Sequence, residues 1–265
     1  MNTRAIGIFD SGLGGLTILK TLSQVLPKEK YIYFGDTANT PYGSKSQATV
    51  TRFSLDIARF LESQKVKLIV VACNTASALA LADLQKQISV PVIGVIKPGS
   101  LKAVQSSKNG KVAVLATEAT VQSKAYPKEL LRLDKRLKVT QQACPLFVPL
   151  IEEGWIHKEG GEAIIADYLA PVIKSGADTV ILGCTHYPVI KNKISKKLGK
   201  SVRLVDAAEV LAEEVHTRLT NTHQLNKKGR GGLKIYASDA PSRFKRLAKH
   251  ILGRELKQVY LKKLN

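Results

Sequence analysis

Short apolar runs alternate along the chain with longer segments that are apolar on one side only. This is the pattern of βα units stacked into a mostly parallel sheet. Strands are predicted at 5–9 (AIGIF), 31–35 (YIYFG), 67–72 (KLIVVA) and 91–95 (PVIGV). A second series follows at 111–115 (KVAVL), 137–141, 178–183 (DTVILG) and 201–205 (SVRLV), and a helical segment follows each strand. Beyond these the pattern predicts a helix over 206–220, a polar Gly-rich loop over 221–232, a strand over 233–237 and a helix over 241–251. This last segment is expected to return and pack on the first unit. The expected domains are therefore 1–97 with 208–265, and 98–207. The halves echo each other: LIVVACNT (68–75) and TVILGCTH (179–186) both run from an apolar strand into a cysteine and a polar pair, 111 residues apart. A spacing of one small domain suggests duplicated half-sites.

The chain has 265 residues, 44% of them hydrophobic and 23% charged, which suits an ordinary globular protein of two domains and no disordered or fibrous class. Charge changes the picture more. Lys and Arg number 41 against 21 acids, for a net charge of +20. Residues 222–265 hold twelve bases and two acids, Asp239 and Glu255, and residues 188–203 hold six bases and no acid. Such patches attract polyanions; a solvated basic face is the plainer reading, so weak, non-specific polyanion binding by the C-terminal region is the most they predict. Cys73, Cys144 and Cys184 form no CxxC pair, and the chain starts without a charged-then-apolar leader, so a reducing, cytoplasmic location is expected. The apolar runs fall short of the roughly 18 residues that span a bilayer, and no membrane association is expected.

In open α/β sheets, ligands bind beyond the carboxyl ends of the strands, where helix N-termini favour anions. Asp10-Ser11, Asp36 to Ser44, Cys73-Asn74-Thr75, Thr117 to Thr120 and Cys184-Thr185-His186 all lie there. The turn DSGLGGLT fits a dinucleotide site poorly: Thr17 stands where the third glycine belongs, and Asp10 would face a pyrophosphate. Asp10 suits an ammonium-bearing ligand, or a neighbouring base that needs orienting.

Cys73 and Cys184 each follow an apolar strand and are expected to open a helix, whose dipole lowers a thiol's pKa below about 8.5. Taken singly, each is more simply a small buried hydrophobe; the matched sequels CNT and CTH weigh the other way. Cys144, in QQACPLF, has no polar sequel and is taken as structural. His186 is either a partner that exchanges a proton with Cys184 or a buried capping histidine. Glu152 is either an assisting acid or one of two exposed acids with Glu153. Asp36 reads as a structural cap. Of Thr117 and Thr120, one is expected to cap a helix and the other to stay free for an anion. Cys184 with His186 lacks the four-ligand spacing of a zinc site, and no metal is expected.

Together IGIFDSGLGGLT (6–17), YFGDT (33–37), PYGS (41–44), ACNTAS (72–77) and GCTHYP (183–188) resemble the glutamate racemase family, within the wider aspartate/glutamate racemase group. The motifs keep the family's order over most of the chain. The resemblance implies two similar three-layer α/β parallel-sheet domains related by pseudo-symmetry, with the active site in the interdomain cleft. It implies cofactor-independent racemisation of glutamate by two bases, Cys73 and Cys184, on opposite faces of the α-carbon. Asp10 would assist Cys73, and His186 would assist Cys184. Glu152 would be a further catalytic acid. Ser11, Tyr42, Gly43, Asn74, Thr75, Thr117, Thr120 and Thr185 would contact substrate, with Asp10 and His186. Histidine after the second Cys-Thr resembles the glutamate branch, since relatives acting on aspartate tend to carry an acid there. The implied role is supplying D-glutamate for peptidoglycan, with glutamate as small-molecule partner and a homodimer as assembly. Asn39 departs from the family's usual arginine, and Lys97 from a common acid; both bear on loop anchoring or domain contacts rather than on the thiols.

Overall fold

The computed structural model describes residues 3–264, the side chain of residue 250 excepted. Its strands are β1 (Ile6–Asp10), β2 (Lys30–Gly35), β3 (Leu68–Val71), β4 (Val92–Gly94), β5 (Lys111–Ala116), β6 (Lys138–Ala143), β7 (Thr179–Gly183), β8 (Arg203–Val205), β9 (Gly232–Ala237) and β10 (Tyr260–Leu261). They form two sheets, in the orders β10-β9-β2-β1-β3-β4 and β6-β5-β7-β8. Every pairing is parallel. Within each sheet the first four strands of its half follow one order: second, first, third, fourth. The echo in the sequence is therefore an echo in topology, with β3 and β7 in equivalent places.

Both faces of each sheet are covered by helices, which is why inner strands such as β3 and β7 read as unbroken apolar runs, while the edge strand β6, KVTQQA, does not. Side chains alternate between two cores. Ile6, Ile8, Leu68 and Val70 enter one cluster and Phe9, Ile69 and Val71 the other. In the second sheet Ala113, Leu115, Val180 and Leu182 face one way, and Val112, Val114 and Ile181 the other. Each fully buried Val, Leu or Ile contributes roughly 1.5–3 kcal/mol relative to exposure.

The C-terminal segment adds β9 against β2, from Lys30 opposite Gly232 to Gly35 opposite Ala237. The short β10 was not expected from sequence, since two exposed strand residues carry no apolar period. Beneath the first sheet, Lys67 and Glu29 form a buried ion pair at 2.6 Å. Lys67 also donates to the Gln224 carbonyl, and the Asn226 amide donates to Glu29, so this pair ties down the 221–232 loop. Among the described residues no helix is long and apolar enough to cross a membrane.

Candidate active site

The two sheets present their carboxyl ends to each other, and the polar clusters meet there. The Thr75 hydroxyl, on the first side, lies 2.9 Å from that of Thr117 and 3.3 Å from that of Thr120, both on the second. Thr185 donates to Asp10 across the same junction at 3.3 Å. Two glycines let the halves approach. A Cβ on Gly14 would lie 2.7 Å from His186 Nδ1, and one on Gly43 would lie 2.7 Å from the Cβ of Thr117.

Cys73 caps the helix Asn74–Leu79, and its sulfur accepts from the Ala76 amide at 3.5 Å. The helix dipole does not prevail, contrary to the expectation from sequence. Burial, and then the Asp10 charge, push the Cys73 thiol up to about 12, against the smaller opposing effects of the Ala76 and Ser11 hydrogen bonds. Asp10 itself is fully buried. Desolvation raises its pKa against the opposing charge of His186 and hydrogen bonds from the Gly15 and Gly12 amides and Thr185.

Cys184 is 7% exposed, close to the 5% of Cys73. Its surroundings differ from the prediction, because no α-helix starts at Cys184. A 3₁₀ turn, Tyr187–Ile190, follows, and the helix Lys191–Leu198 starts only after it. Pro188 removes one amide near the start of that turn. The electrostatic partner of Cys184 is instead a side chain. His186 Nδ1 lies 3.9 Å from the Cys184 sulfur, and its Nε2 lies 2.9 Å from Glu152 Oε1. Burial disfavours the imidazolium, but hydrogen bonds to Cys184 and Glu152 outweigh it and push His186 up to about 10. Desolvation acts against the Glu152 carboxylate, yet the His186 hydrogen bond and charge hold its pKa below the usual range. Glu152 pairs with His186, while its neighbour Glu153 pairs with Arg243 at 2.9 Å on the surface.

Thr117 is the N-cap of the helix Glu118–Ser123, accepting from the Thr120 amide. Thr120 differs from its cap in burial rather than in bonding. It is fully buried, and its hydroxyl bonds those of Thr75 and Thr117. Asp36 is the acceptor of a donor ring: Tyr42 at 2.5 Å, Ser238 at 2.7 Å, and Asn39 at 3.0 Å to each oxygen. Asn39 therefore anchors the 36–44 loop through a neutral amide. Lys97 is exposed on the helix Ile96–Ser106, away from the thiols. Cys144 is fully buried and its thiol is pushed up by burial, as a structural cysteine would be.

Three contributors escaped sequence reading. Tyr33, inside β2, donates to the Gly12 carbonyl at 2.9 Å and so supports the glycine turn. Tyr126 donates to Asn74 Oδ1 at 2.6 Å. Arg243, from the basic C-terminal region, brings a positive charge to bear on Glu152. The signal available for Tyr33 was a phenol within the apolar run YIYF, which needs a partner when buried; Tyr126, in SKAYPKELL, carried no such signal.

A family model described as Asp/Glu/Hydantoin racemase matches residues 14–215. Glutamate racemase from Geobacter metallireducens is 48% identical over 261 residues, covering 98% of this chain and 97% of its own length. Glutamate racemase from Neisseria meningitidis is 42% identical over 258 residues, covering 97% and 95%. Glutamate racemase isoform RacE1 from Bacillus anthracis superposes with a TM-score of 0.94 at 37% identity, covering 100% of this chain and 98% of that one. Glutamate racemase from Francisella tularensis, in complex with D-glutamate, gives 0.93 at 37% identity, covering 100% and 99%.

Proposed function

This chain belongs to the Asp/Glu/hydantoin racemase family, and from that premise we propose that it interconverts L- and D-glutamate by two-base proton transfer, supplying D-glutamate for peptidoglycan. The observation that carries the reading is the equivalence of β3 and β7. Each leads into a buried cysteine at the junction where the two halves meet through Thr75 and Thr117 and through Asp10 and Thr185.

Inverting a carbon centre needs a base on one face and an acid on the other, with roles that exchange in the reverse direction. In one direction the Cys73 thiolate takes the α-proton, the Cα–H electron pair stays on carbon, and the Cys184 thiol delivers its proton to the opposite face. In the other direction the roles reverse. His186 can take the Cys184 proton and return it, with Glu152 holding the ring in place and balancing its charge. Cys73 has no such imidazole. Its high pKa comes from burial and from Asp10, so an α-ammonium placed against Asp10 would offset that charge and ease ionisation of the thiol. The amides and hydroxyls of Ser11, Asn74, Thr75, Thr117 and Thr185 are the donors for the two carboxylates. Tyr42 and Gly43 line the same junction.

The test is circular dichroism of L-glutamate incubated with purified protein in heavy water, with no pyridoxal phosphate added. The signal should decay to zero, and the newly formed D-glutamate should carry deuterium at Cα while recovered L-glutamate stays unlabelled early on. An unchanged signal at high enzyme would sink the assignment. Early label in the recovered L-glutamate would replace two bases with one.

A further inference from the structure

We infer that Tyr126 is a positioning residue for the racemase reaction: it fixes the Asn74 amide and holds the two cysteine-bearing loops in register. The inference rests on the reading of the site given above. Tyr126 lies in the helix Ala125–Leu133 and is fully buried in the core of the second sheet, with Val112, Val114, Leu130 and Ile181. Its hydroxyl nevertheless crosses the junction and donates to Asn74 Oδ1 at 2.6 Å. Asn74 is the residue after Cys73 and the first of the helix that Cys73 caps.

Along its way the ring packs tightly beside Gly183 and runs past Gly99. A Cβ on Gly183 would lie 3.2 Å from Tyr126 Cε2, and one on Gly99 would lie 3.6 Å from the hydroxyl. Gly183 is the residue before Cys184. One rigid side chain is therefore packed against the backbone entering Cys184 and hydrogen-bonded to the residue leaving Cys73. Ala78, from the helix of Asn74, packs on the same cluster and extends the contact.

The bond also decides which way the amide faces. An asparagine has a carbonyl oxygen that accepts and an NH₂ that donates, and nothing in the side chain's own shape distinguishes the two. Burial, with the Asp206 and Cys184 charges, raises the phenol's pKa well above its ordinary value, so the hydroxyl keeps its proton throughout the neutral range. With Oδ1 accepting that proton, Nδ2 is left as the donor end, and among the described residues it makes no hydrogen bond. A fixed donor beside Cys73 suits a substrate carboxylate. Without that bond the amide is no longer held with its donor end toward the carboxylate, and its oxygen would repel it.

The test is a double-mutant cycle on Tyr126→Phe and Asn74→Ala, with kcat and KM in both directions and Tm for each protein. Tyr126→Phe keeps the ring beside Gly183 and removes only the hydroxyl. It should raise KM for both enantiomers roughly tenfold, the scale of one hydrogen bond's worth of binding. In the Asn74→Ala background the same change should add less than about twofold, since coupled residues are non-additive. Asn74→Ala alone leaves a buried hydroxyl without its acceptor and should lower Tm, a readout that stands even if Tyr126→Phe does not fold. Equal fold-changes in both backgrounds, or an unchanged Tm in Asn74→Ala, would overturn the inference. Because the cycle is read against wild-type turnover of glutamate, inactive wild type would instead defeat the functional reading beneath it.

Discussion

Replacing His186 with Asn probes a side chain that touches a thiol and a carboxylate at once. In the native site Nδ1 stands 3.9 Å from the Cys184 sulfur, and Nε2 stands 2.9 Å from Glu152. Asn can keep a hydrogen bond but cannot take up a proton, so the change removes proton exchange while leaving most of the packing. A positioned acid/base helper contributes roughly 10²- to 10⁴-fold. Because the sulfur contact is long and the imidazole assists only one of the two thiols, the loss should sit at the lower end, roughly 10² in kcat/KM, or about 2.7 kcal/mol. The two enantiomers have equal free energy in water, so kcat/KM must remain equal in the two directions for every variant. Asymmetry can appear only in kcat and KM separately and in isotope effects. The assay is therefore circular dichroism with α-protonated and α-deuterated L- and D-glutamate. The enantiomer whose proton Cys184 removes should show the larger rise in primary isotope effect and the larger fall in kcat. A loss smaller than about threefold, with isotope effects moving equally, would reduce His186 to a structural role.

The site should make stability fall as pH rises. His186 titrates at about 10 in the folded chain and at roughly 6.5 unfolded. Its contribution is thus complete below about 6.5 and lost as pH climbs to about 10. Cys73, raised to about 12, adds to the fall above roughly 8.5. Tm measured from pH 6 to 10 should decline, and Glu152→Gln should flatten the lower part; a flat native profile would contradict the geometry. Lys67→Met leaves Glu29 buried without its cation and should cost about 3–5 kcal/mol in urea denaturation. Adding Glu29→Gln should recover part of that, and a cost below about 1 kcal/mol would mean the pair is not buried as described. For the basic C-terminal region we expect only general electrostatic binding. Retention on DNA should weaken steeply between low and physiological salt, and a sequence-selective complex surviving about 200 mM salt would refute this.

Much of this protein was determined by the chain alone. Unbroken apolar runs such as LIVV and TVILG, alternating with longer amphipathic segments, fit strands buried on both faces of a helix-covered parallel sheet, so fold class and strand positions followed from local pattern. The matched sequels to Cys73 and Cys184 marked both ends of the candidate site for the same reason, since a strand's carboxyl end is a local feature. What tertiary structure decided were the quantities that depend on neighbours distant in sequence. The contact of Glu152 with His186 is made across 34 residues of chain and that of Tyr126 with Asn74 across 52, so no local pattern could announce either. Local rules also erred wherever burial overrode them. The dipole at Cys73 was outweighed by desolvation, Thr120 was buried against the hydroxyls of its own cap Thr117 and of Thr75 from the opposite half, and Cys184 acquired an imidazole in place of a helix start. Periodicity records which side of an element faces inward; the charge a buried group can carry depends on everything packed around it, and only folding assembles that.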